Sequence, residues 1–174
     1  MSEIGSTSAQ DWQAIDDACF RRAMSRHAAG VVVVTARVDG GPVGLTATSF
    51  SSISLTPPLV AFYIANVSAT WASLRSAESF GVNILSAGQA DVAARFALRS
   101  IDRLGPTRWR IGVRGLPVLD GILAHLACRT HSRTVIGDHT LVVGEVTDVA
   151  LSSDVRPLVY QQGGFGDFLP HVSQ

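Results

Sequence analysis

The stretch GLTATSFSSISLTPPLVAFYIANVSAT, residues 44–70, is the part of the chain on which the predictions of fold and site depend most. Serine and threonine crowd its first half up to Ser54, Pro57 and Pro58 interrupt it, and an apolar run then leads to Asn66. Hydroxyl and backbone N–H groups beside hydrophobic strands suit a polar ligand, such as a phosphate or an amide-rich ring. Because Ser and Thr also line solvated strands and turns, the stretch alone leaves a ligand site and a plain solvated sheet equally open.

Strands are predicted on both sides of the proline pair. Upstream, GVVVVTARV is rich in valine, whose branched side chain suits a pleated sheet, and Asp39, Gly40 and Gly41 favour a tight turn. The first hairpin is therefore predicted from about Val31 to Ser54. Downstream, LVAFYIA is typical of a buried strand, and SATWASLRSAESF follows it as a short helical connection.

Three helical segments are predicted from apolar residues at helical spacing and from capping residues. The first lies in DWQAIDDACFRRAMSRHAAG and ends near Gly30, the second follows Ser68, and the third begins at a capping box. The first prediction rests on the spacing of Ile15, Phe20 and Met24, and the second on Ser68 as a cap with Trp71 and Leu74 on one face. The third rests on Ser86 and Gln89 as the capping box, with Val92 and Phe96 on one face.

The C-terminal half is predicted to add a hairpin and a closing strand. HTLVVGEVTDVAL alternates between apolar and polar residues, whereas GILAHLACRTHSRTV alternates imperfectly. A turn at residues 136–138 brings His139 to the start of a strand, and residues 100–117 are expected to form a long loop or a frayed strand. PLVYQQGGFGDF is expected to form a short strand followed by a flexible tail. About six or seven short strands with few helices predict a mainly β protein, a small β-barrel with appended helices.

Length and composition predict a single globular domain. The chain has 174 residues, 47% hydrophobic and 16% charged, which is enough to bury a core without cross-links. All 14 basic residues are arginine and are balanced by 14 acidic ones, which argues against nucleic acid or a membrane surface as a partner. Residues 1–15 are predicted as a polar tail and helix start, and residues 16–170 as the domain. Cys19 and Cys128 form no paired motif and no secretory signal is recognised, so a cytoplasmic location is expected.

Several common chemistries lack their motifs. No GxGxxG, GxxxxGK[ST] or GxSxG pattern occurs, so a Rossmann site, a P-loop and a nucleophile elbow are unsupported. His125, His131 and His139 are the candidate metal ligands, but no carboxylate motif accompanies them and no metal site is predicted. The Gly-Asp turn presents His139 at a rim, where its ring either donates a hydrogen bond to a ligand or caps the turn.

Four segments occur in a recognisable order over residues 20–168: GLTATSFSSISLTPPLVAFYIANVSATW, FGVNILS with the helix to Phe96, GDHTLVVGEV, and PLVYQQGGFG. Together they resemble the flavin reductase family of two-component flavin-dependent monooxygenases. The resemblance implies a split β-barrel of the FMN-binding type that forms a homodimer, binds FMN or FAD and reduces it with NADH or NADPH. The reduced flavin would then diffuse to a separate monooxygenase. The arginine-rich segment 99–114 is individual to this chain. It leaves open whether the flavin is FMN or FAD, and whether the reductant is NADH or NADPH.

The resemblance also implies roles for individual residues. The implied flavin contacts, for the ring, the ribityl chain and the phosphate, are Thr46, Ala47, Thr48, Ser49, Ser52, Ala65, Asn66, Ser68 and Thr70. The implied contacts of the nicotinamide nucleotide are His139, Tyr160, Gly163 and Phe165.

Hydride passes directly between the two cofactors in such a reaction, so the protein needs no nucleophile and mainly stacks and orients the rings. His139 is the one candidate catalytic residue, as an orienting or proton-donating group. The main alternative is a split-barrel flavin carrier or electron-transfer protein that does not oxidise NAD(P)H. A plain β-barrel interaction module, without flavin affinity, is the third hypothesis.

Overall fold

The computed structural model describes residues 14–39, 41–98, 103–152 and 155–170. These residues form antiparallel sheets of seven, three and two strands, together with three α-helices. The strands are β1 (Ala29–Gly30), β2 (Val32–Val38), β3 (Gly41–Ala47), β4 (Ser51–Leu55), β5 (Pro58–Ala65), β6 (Ser79–Ile84), β7 (Trp109–Ile111), β8 (Pro117–Leu119), β9 (Ala124–Ile136), β10 (His139–Leu151), β11 (Leu158–Gln161) and β12 (Gly164–Asp167). The helices are α1 (Asp17–Ser25), α2 (Ala69–Leu74) and α3 (Ala90–Ala97). The prediction of a mainly β protein with a few helices is confirmed.

Strand β2 is buried on both of its faces. Successive side chains of a strand point to opposite sides of the sheet. Val32 and Val34 accordingly belong to one core cluster, which also contains Phe80. Val33, with Val31 just before the strand, belongs to a second cluster under α3. The continuous valine run is therefore explained by a strand that is covered on both sides.

The seven-stranded sheet has the order β3-β2-β6-β9-β10-β5-β4, and it curls. Just after β3, the hydroxyl of Ser49 accepts a hydrogen bond from the Tyr63 N–H of β5 (3.0 Å) and donates one to the Tyr63 carbonyl (3.2 Å). The ends of β3 and β5 therefore meet although the two strands are not neighbours in the sheet.

The hairpin predicted from Val31 to Ser54 is wrong in its second half. Strand β3 pairs with β2 only as far as Ala47, and Ser51–Leu55 is the separate strand β4, which pairs with β5. Serine and threonine are compatible with both a strand and a bend, so the sequence carries no local signal for this change of partner.

Strands β9 and β10 have 13 residues each, and β10 coincides with the segment HTLVVGEVTDVAL in which a strand was predicted. Register shifts in their pairing, between Val143 and Gly144 and between Val146 and Asp148, interrupt the alternation. Gly144 allows a close approach, because a Cβ atom there would lie 2.4 Å from the ring of Phe80. The predicted turn before His139 is confirmed.

The predicted number of strands was too low, since the described residues form twelve. Strands of two to four residues, such as β1 and β12, are too short for a periodic signal.

The predicted flexible tail after β11 is also wrong. Gln162 and Gly163 adopt positive φ angles and turn the chain into β12, and β11 pairs with both β12 and β1.

The three predicted helices are present. Asp16 caps α1 by accepting a hydrogen bond from the Cys19 N–H (2.6 Å), but no residue of α1 is buried in the single chain. The predicted capping box precedes α3, where the Ser86 N–H donates to Gln89 Oε1 (3.0 Å). In α2, Trp71 and Leu74 are both buried, which agrees with the prediction that they share one face of the helix. None of the described helices is long and apolar enough to span a membrane.

The segment predicted as a long loop or a frayed strand, residues 100–117, contains β7, which pairs with β8 in a two-stranded sheet. Its first residues, up to 102, lie outside the described part of the chain.

A buried polar cluster attaches β8 to the large sheet. Asn83 donates to the Val33 carbonyl (3.1 Å), and its Oδ1 accepts from the Leu119 N–H (2.9 Å). Thr35 completes the attachment by donating to the Pro117 carbonyl (2.7 Å).

His125 is buried beside this cluster. Its Nδ1 lies 3.2 Å from Asn83 Oδ1, and an oxygen acceptor at that position favours the tautomer with the proton on Nδ1. Its Nε2 is buried and has no hydrogen-bond partner among the described residues. Burial, and to a smaller extent the charge of Arg110, lowers the pKa of His125 below its usual 6.5. The fold therefore holds this imidazole neutral.

Stability is expected to fall as the pH drops below 6.5, the usual pKa of the His125 side chain. The unfolded chain takes up a proton there while the folded state does not, so acid favours unfolding until the lowered folded-state pKa is reached. In urea titrations between pH 7 and 5.5, His125→Gln should remove a slope of roughly 1 kcal/mol per pH unit.

His27→Gln, at an exposed position after α1, is the matched control and should keep the wild-type slope. An identical slope in the wild type and in His125→Gln would contradict the assignment.

Candidate functional site

A cavity of about 600 Å³ lies where β3 and β5 end, α2 begins and α3 ends. Its volume is within the range of small-molecule and cofactor sites. Apolar side chains, including Leu45, Ile64 and Phe96, form part of its wall. Hydroxyl groups, Arg103 and His139 form much of the rest, and no carboxylate belongs to the described residues that line it. The cavity therefore combines apolar walls with hydrogen-bonding groups.

The hydroxyl groups of the cavity are oriented by the backbone around them. Thr46 Oγ1 donates to the Ala93 carbonyl of α3 (2.7 Å), so its lone pairs remain for a ligand. Ser68 Oγ instead accepts from the Trp71 N–H (3.4 Å) as the cap of α2, so its proton remains as a donor. The cavity therefore presents acceptors on the β3 wall and donors at the start of α2.

His139 lines the cavity from the first position of β10. Its Nδ1 lies 2.7 Å from Asp138 Oδ1, and the carboxylate favours the tautomer with the proton on Nδ1. The hydrogen bond from His139, with its charge when protonated, lowers the pKa of Asp138 below its usual value. Asp138 is thereby kept ionised, and it orients the ring of His139.

Asn66 holds the turn that carries His139. Its backbone N–H donates to the Asp138 carbonyl (3.0 Å), and its Oδ1 accepts from the buried Thr140 hydroxyl (2.6 Å). Its Nδ2 lies 3.5 Å from the Gly137 carbonyl. The two ends of the Asn66 amide side chain therefore contact the turn and the start of β10, and Asn66 does not line the cavity.

Arg103 is the one residue with a permanent charge among the described residues that line the cavity. Its Nη1 donates to the Gly44 carbonyl of β3 and to Thr70 Oγ1 of α2, both at 2.7 Å, and its Nη2 donates to the Leu98 carbonyl. Burial lowers the pKa of its guanidinium. The sequence signalled only an arginine-rich segment at this point, because nothing local indicates which arginine turns inward.

The structure brings together most of the residues that the sequence predicted for the site. Those that line the cavity are Thr46, Ala47, Thr48, Ser49, Ala65, Ser68, Thr70 and His139. Those outside its lining are Ser52, Asn66, Tyr160, Gly163 and Phe165. Those that the prediction missed are Leu45, Tyr63, Ile64, Val67, Ala69, Phe96, Ala97 and Arg103.

The residues outside the lining have clear positions in the fold. Ser52 is exposed on the edge strand β4, beyond β5. The rings of Tyr160 and Phe165 contact each other, with centroids 5.3 Å apart, on the β11–β12 hairpin of the three-stranded sheet. Among the described residues, no group of three or more His, Cys, Asp or Glu side chains converges as a metal site.

Comparisons with known proteins agree on one family. A family model described as the flavin reductase like domain matches residues 24–168. An NADH:FMN oxidoreductase of Rhodococcus qingshengii is 42% identical over 84% of this chain and 79% of its own. A flavin-dependent monooxygenase reductase subunit, HsaB of Rhodococcus jostii, is 35% identical over 98% of this chain and 87% of its own.

A solved structure extends the likeness to three dimensions. The NADH:FAD oxidoreductase SgcE6 of Streptomyces globisporus, in complex with NAD and FAD fragments, has a TM-score of 0.86 and 33% identity. The match covers 93% of this chain and all of that one, 100%. The fold is therefore of the flavin reductase split-barrel type, with a sheet that does not close among the described residues. The chain belongs to the flavin reductase family.

The residues of the cavity fit a flavin. Apolar walls suit a planar ring, and the lone pairs of Thr46 suit a ring N–H group. Donor hydroxyls at Ser68 and Thr70 suit a phosphate, and no carboxylate among the described lining residues would repel it.

Replacing Asn66 with alanine is expected to destabilise the fold more than it weakens flavin binding. The buried Thr140 hydroxyl would lose its acceptor, at a cost of about 1–3 kcal/mol in the free energy of unfolding. Urea denaturation measures the first effect and fluorescence titration with FMN the second. Asn66→Asp, which retains the acceptor, is the matched control and should lose less stability. A large loss of FMN affinity with unchanged stability would show instead that Asn66 contacts the flavin.

Proposed function

We propose that the protein is an NAD(P)H-dependent flavin reductase that supplies reduced FMN or FAD to a separate monooxygenase. The observation that carries the proposal is the cavity in which the hydroxyl-rich end of β3, the start of α2 and His139 meet. Membership of the flavin reductase family supports it, as do relatives named NADH:FMN oxidoreductase and monooxygenase reductase subunit. These relatives favour NADH over NADPH as the reductant to be tested first.

The residues of the cavity would hold and orient the flavin. In the proposal, the β3 end from Thr46 to Ser49 contacts the ring and the ribityl chain, Ala65 lies beside the ring, and Ser68 and Thr70 lie toward the phosphate. Ser52 and Asn66 remain predicted contacts, although Asn66 acts more directly on the turn before His139. When bound, the nicotinamide supplies a hydride and the flavin accepts it. The side chains need only to stack the rings, exclude water and orient them.

Flavin affinity is expected to be modest. A reduced flavin that serves another enzyme has to leave, and several hydroxyls of the site are already bonded to the protein backbone. Each such bond leaves fewer groups for direct contact with a ligand. The expected behaviour is therefore exchange with free flavin rather than a permanent prosthetic group.

The test of the function is the oxidation of NADH, and separately NADPH, in air with FMN or FAD added at micromolar concentration. Loss of nicotinamide absorbance that depends on added flavin supports the proposal and identifies both preferences. If flavin binds but no nicotinamide is consumed, the carrier or electron-transfer alternative replaces it. Absence of any flavin binding would leave the interaction module as the remaining hypothesis.

A homodimer is part of the proposal. Phe20 and Met24 on α1, and Leu151 at the end of β10, are more than half exposed in the single chain, and apolar surface of this kind favours association. Because the β11–β12 hairpin does not line the cavity, we infer that a second copy brings its Tyr160, Gly163 and Phe165 to the nicotinamide nucleotide. Light scattering is expected to give twice the chain mass of 18.4 kDa, and a monomeric mass would contradict this.

The cellular location and the domain limits also remain proposals. A cytoplasmic location is supported by the two cysteines without a paired motif. The domain proposed over residues 16–170 contains the whole of the family match.

Replacing His139 with alanine is expected to impair the use of nicotinamide more than the binding of flavin. If the ring orients the nicotinamide or donates a proton, its loss should raise KM for NADH or lower kcat by about tenfold or more. Steady-state kinetics at several NADH concentrations separates the two effects. His131→Ala, at an exposed position away from the cavity, is the control and should be unaffected. Unchanged kinetics of His139→Ala would exclude both roles.

A further inference from the structure

The tip of the β9–β10 hairpin, residues 131–138, leads directly into His139 and has little support of its own. Each of its eight residues is exposed. Strand β6 pairs with β9 only as far as Arg129, so among the described residues no strand lies beside the tip on that side. On the other side the tip meets the end of β5, where His139 is opposite Ala65. The position of His139 therefore depends on how the tip is held at β5.

Asn66 holds the tip through three contacts. Its backbone N–H donates to the Asp138 carbonyl (3.0 Å), and its Nδ2 lies 3.5 Å from the Gly137 carbonyl. The third contact is the hydrogen bond that Thr140 Oγ1 donates to Asn66 Oδ1 (2.6 Å). Among the described residues, every hydrogen bond that reaches Gly137 or Asp138 from outside the hairpin comes from Asn66. Asn66 and Thr140 together therefore determine where the tip lies.

The turn that contains Asn66 is itself held firmly. The Ser68 N–H donates to the Ala65 carbonyl (2.9 Å) and closes this turn. Ser68 then caps α2, and Trp71 of that helix is buried in the core. Ala65 and Ser68 line the cavity on the side proposed for the flavin. Asn66 therefore joins the flavin wall of the cavity to the turn that carries His139.

We propose that Thr140 and Asn66 are positioning residues for flavin reduction, and that their hydrogen bond fixes His139 relative to the flavin wall. The inference rests on the proposed function, in which His139 contacts the nicotinamide nucleotide. It adds Thr140, which does not line the cavity. Hydride transfer requires the nicotinamide and flavin rings to be held in a narrow range of geometry, and a misplacement of about 1 Å is enough to slow such a step.

The surroundings of this hydrogen bond allow it to be removed cleanly. Thr140 is only 3% exposed, whereas Asn66 is exposed. Valine has the shape of threonine without the hydroxyl, so Thr140→Val opens no large cavity. The Asn66 Oδ1 left behind can bond to water, and no buried polar group loses its partner. The backbone bond from Asn66 to Asp138 remains, so the substitution loosens the tip without unfolding it.

The test measures the second-order rate constant for reduction of bound FMN by NADH, or by NADPH where the wild type uses it. Anaerobic stopped-flow absorbance with the full chain in excess over FMN gives this constant. Thr140→Val is expected to lower it by about tenfold, similar to the loss expected for His139→Ala. The dissociation constant of FMN, from fluorescence titration, should change by less than about twofold, because the flavin wall is unaltered. Thr140→Ser keeps the hydroxyl and should recover most of the rate.

Two further variants separate positioning from a general loss of stability. Thr130→Val is the matched control, because Thr130 also donates a strand hydroxyl to a partner outside its strand, the Ala77 carbonyl (3.0 Å), and does not line the cavity. It should leave the rate constant unchanged. The double variant of Thr140→Val with His139→Ala should be no slower than His139→Ala alone, since Thr140 acts only through His139.

Several results would overturn the inference and leave the proposed function intact. These are a wild-type rate for Thr140→Val or for His139→Ala, an equal loss for Thr130→Val, and losses that multiply in the double variant. If the wild type does not reduce FMN with either nicotinamide nucleotide, the proposed function itself fails. A loss confined to the variants that lack the Thr140 hydroxyl or the His139 ring supports both.

Discussion

The burial of β2 on both faces is the constraint on which the rest of the structure depends. Its alternating valines require two separate hydrophobic clusters, so α3 has to cover one side while the curled sheet encloses the other. Gly44 of β3 makes the cover close, since a Cβ atom there would lie 2.7 Å from the ring of Phe96 on α3. The cavity forms where this packing ends, and the bond from Thr46 to Ala93 marks its edge. The site is therefore a consequence of how β2 is buried.

Features that depend on neighbours in sequence could be predicted from the sequence. The Ser68 cap, the capping box of Ser86 and Gln89, and the turn before His139 each involve residues within four positions, and the structure contains all three. The hydroxyl groups at the end of β3 predict a polar ligand from residue type alone, but a plain solvated sheet remains equally open at that point. Local chemistry therefore indicated a ligand site without deciding for it, and the family resemblance supplied both the decision and the identity of the ligand.

Features that depend on distant contacts could not be predicted in the same way. Arg103 reaches the cavity only because it bonds to Gly44 and Thr70, which are 59 and 33 positions away in the chain. Asn66 has the composition of a ligand contact, yet its side chain bonds to Thr140 across the β5–β10 pairing. In both cases the same residue type suits two roles, and only tertiary structure decides between them.

The structural and the functional interpretation of the hydroxyl-rich stretch are compatible with each other. Ser49 bonds to the backbone of β5 and Thr46 to that of α3, so these hydroxyls hold the curled sheet and the helix in place. The same bonds fix which proton or lone pair each group can still offer to a ligand. A hydroxyl that gives its proton to the fold becomes an acceptor in the site, and one that accepts, as Ser68 does, becomes a donor. The hydrogen bonds that stabilise the fold therefore also set the polarity of each wall of the cavity.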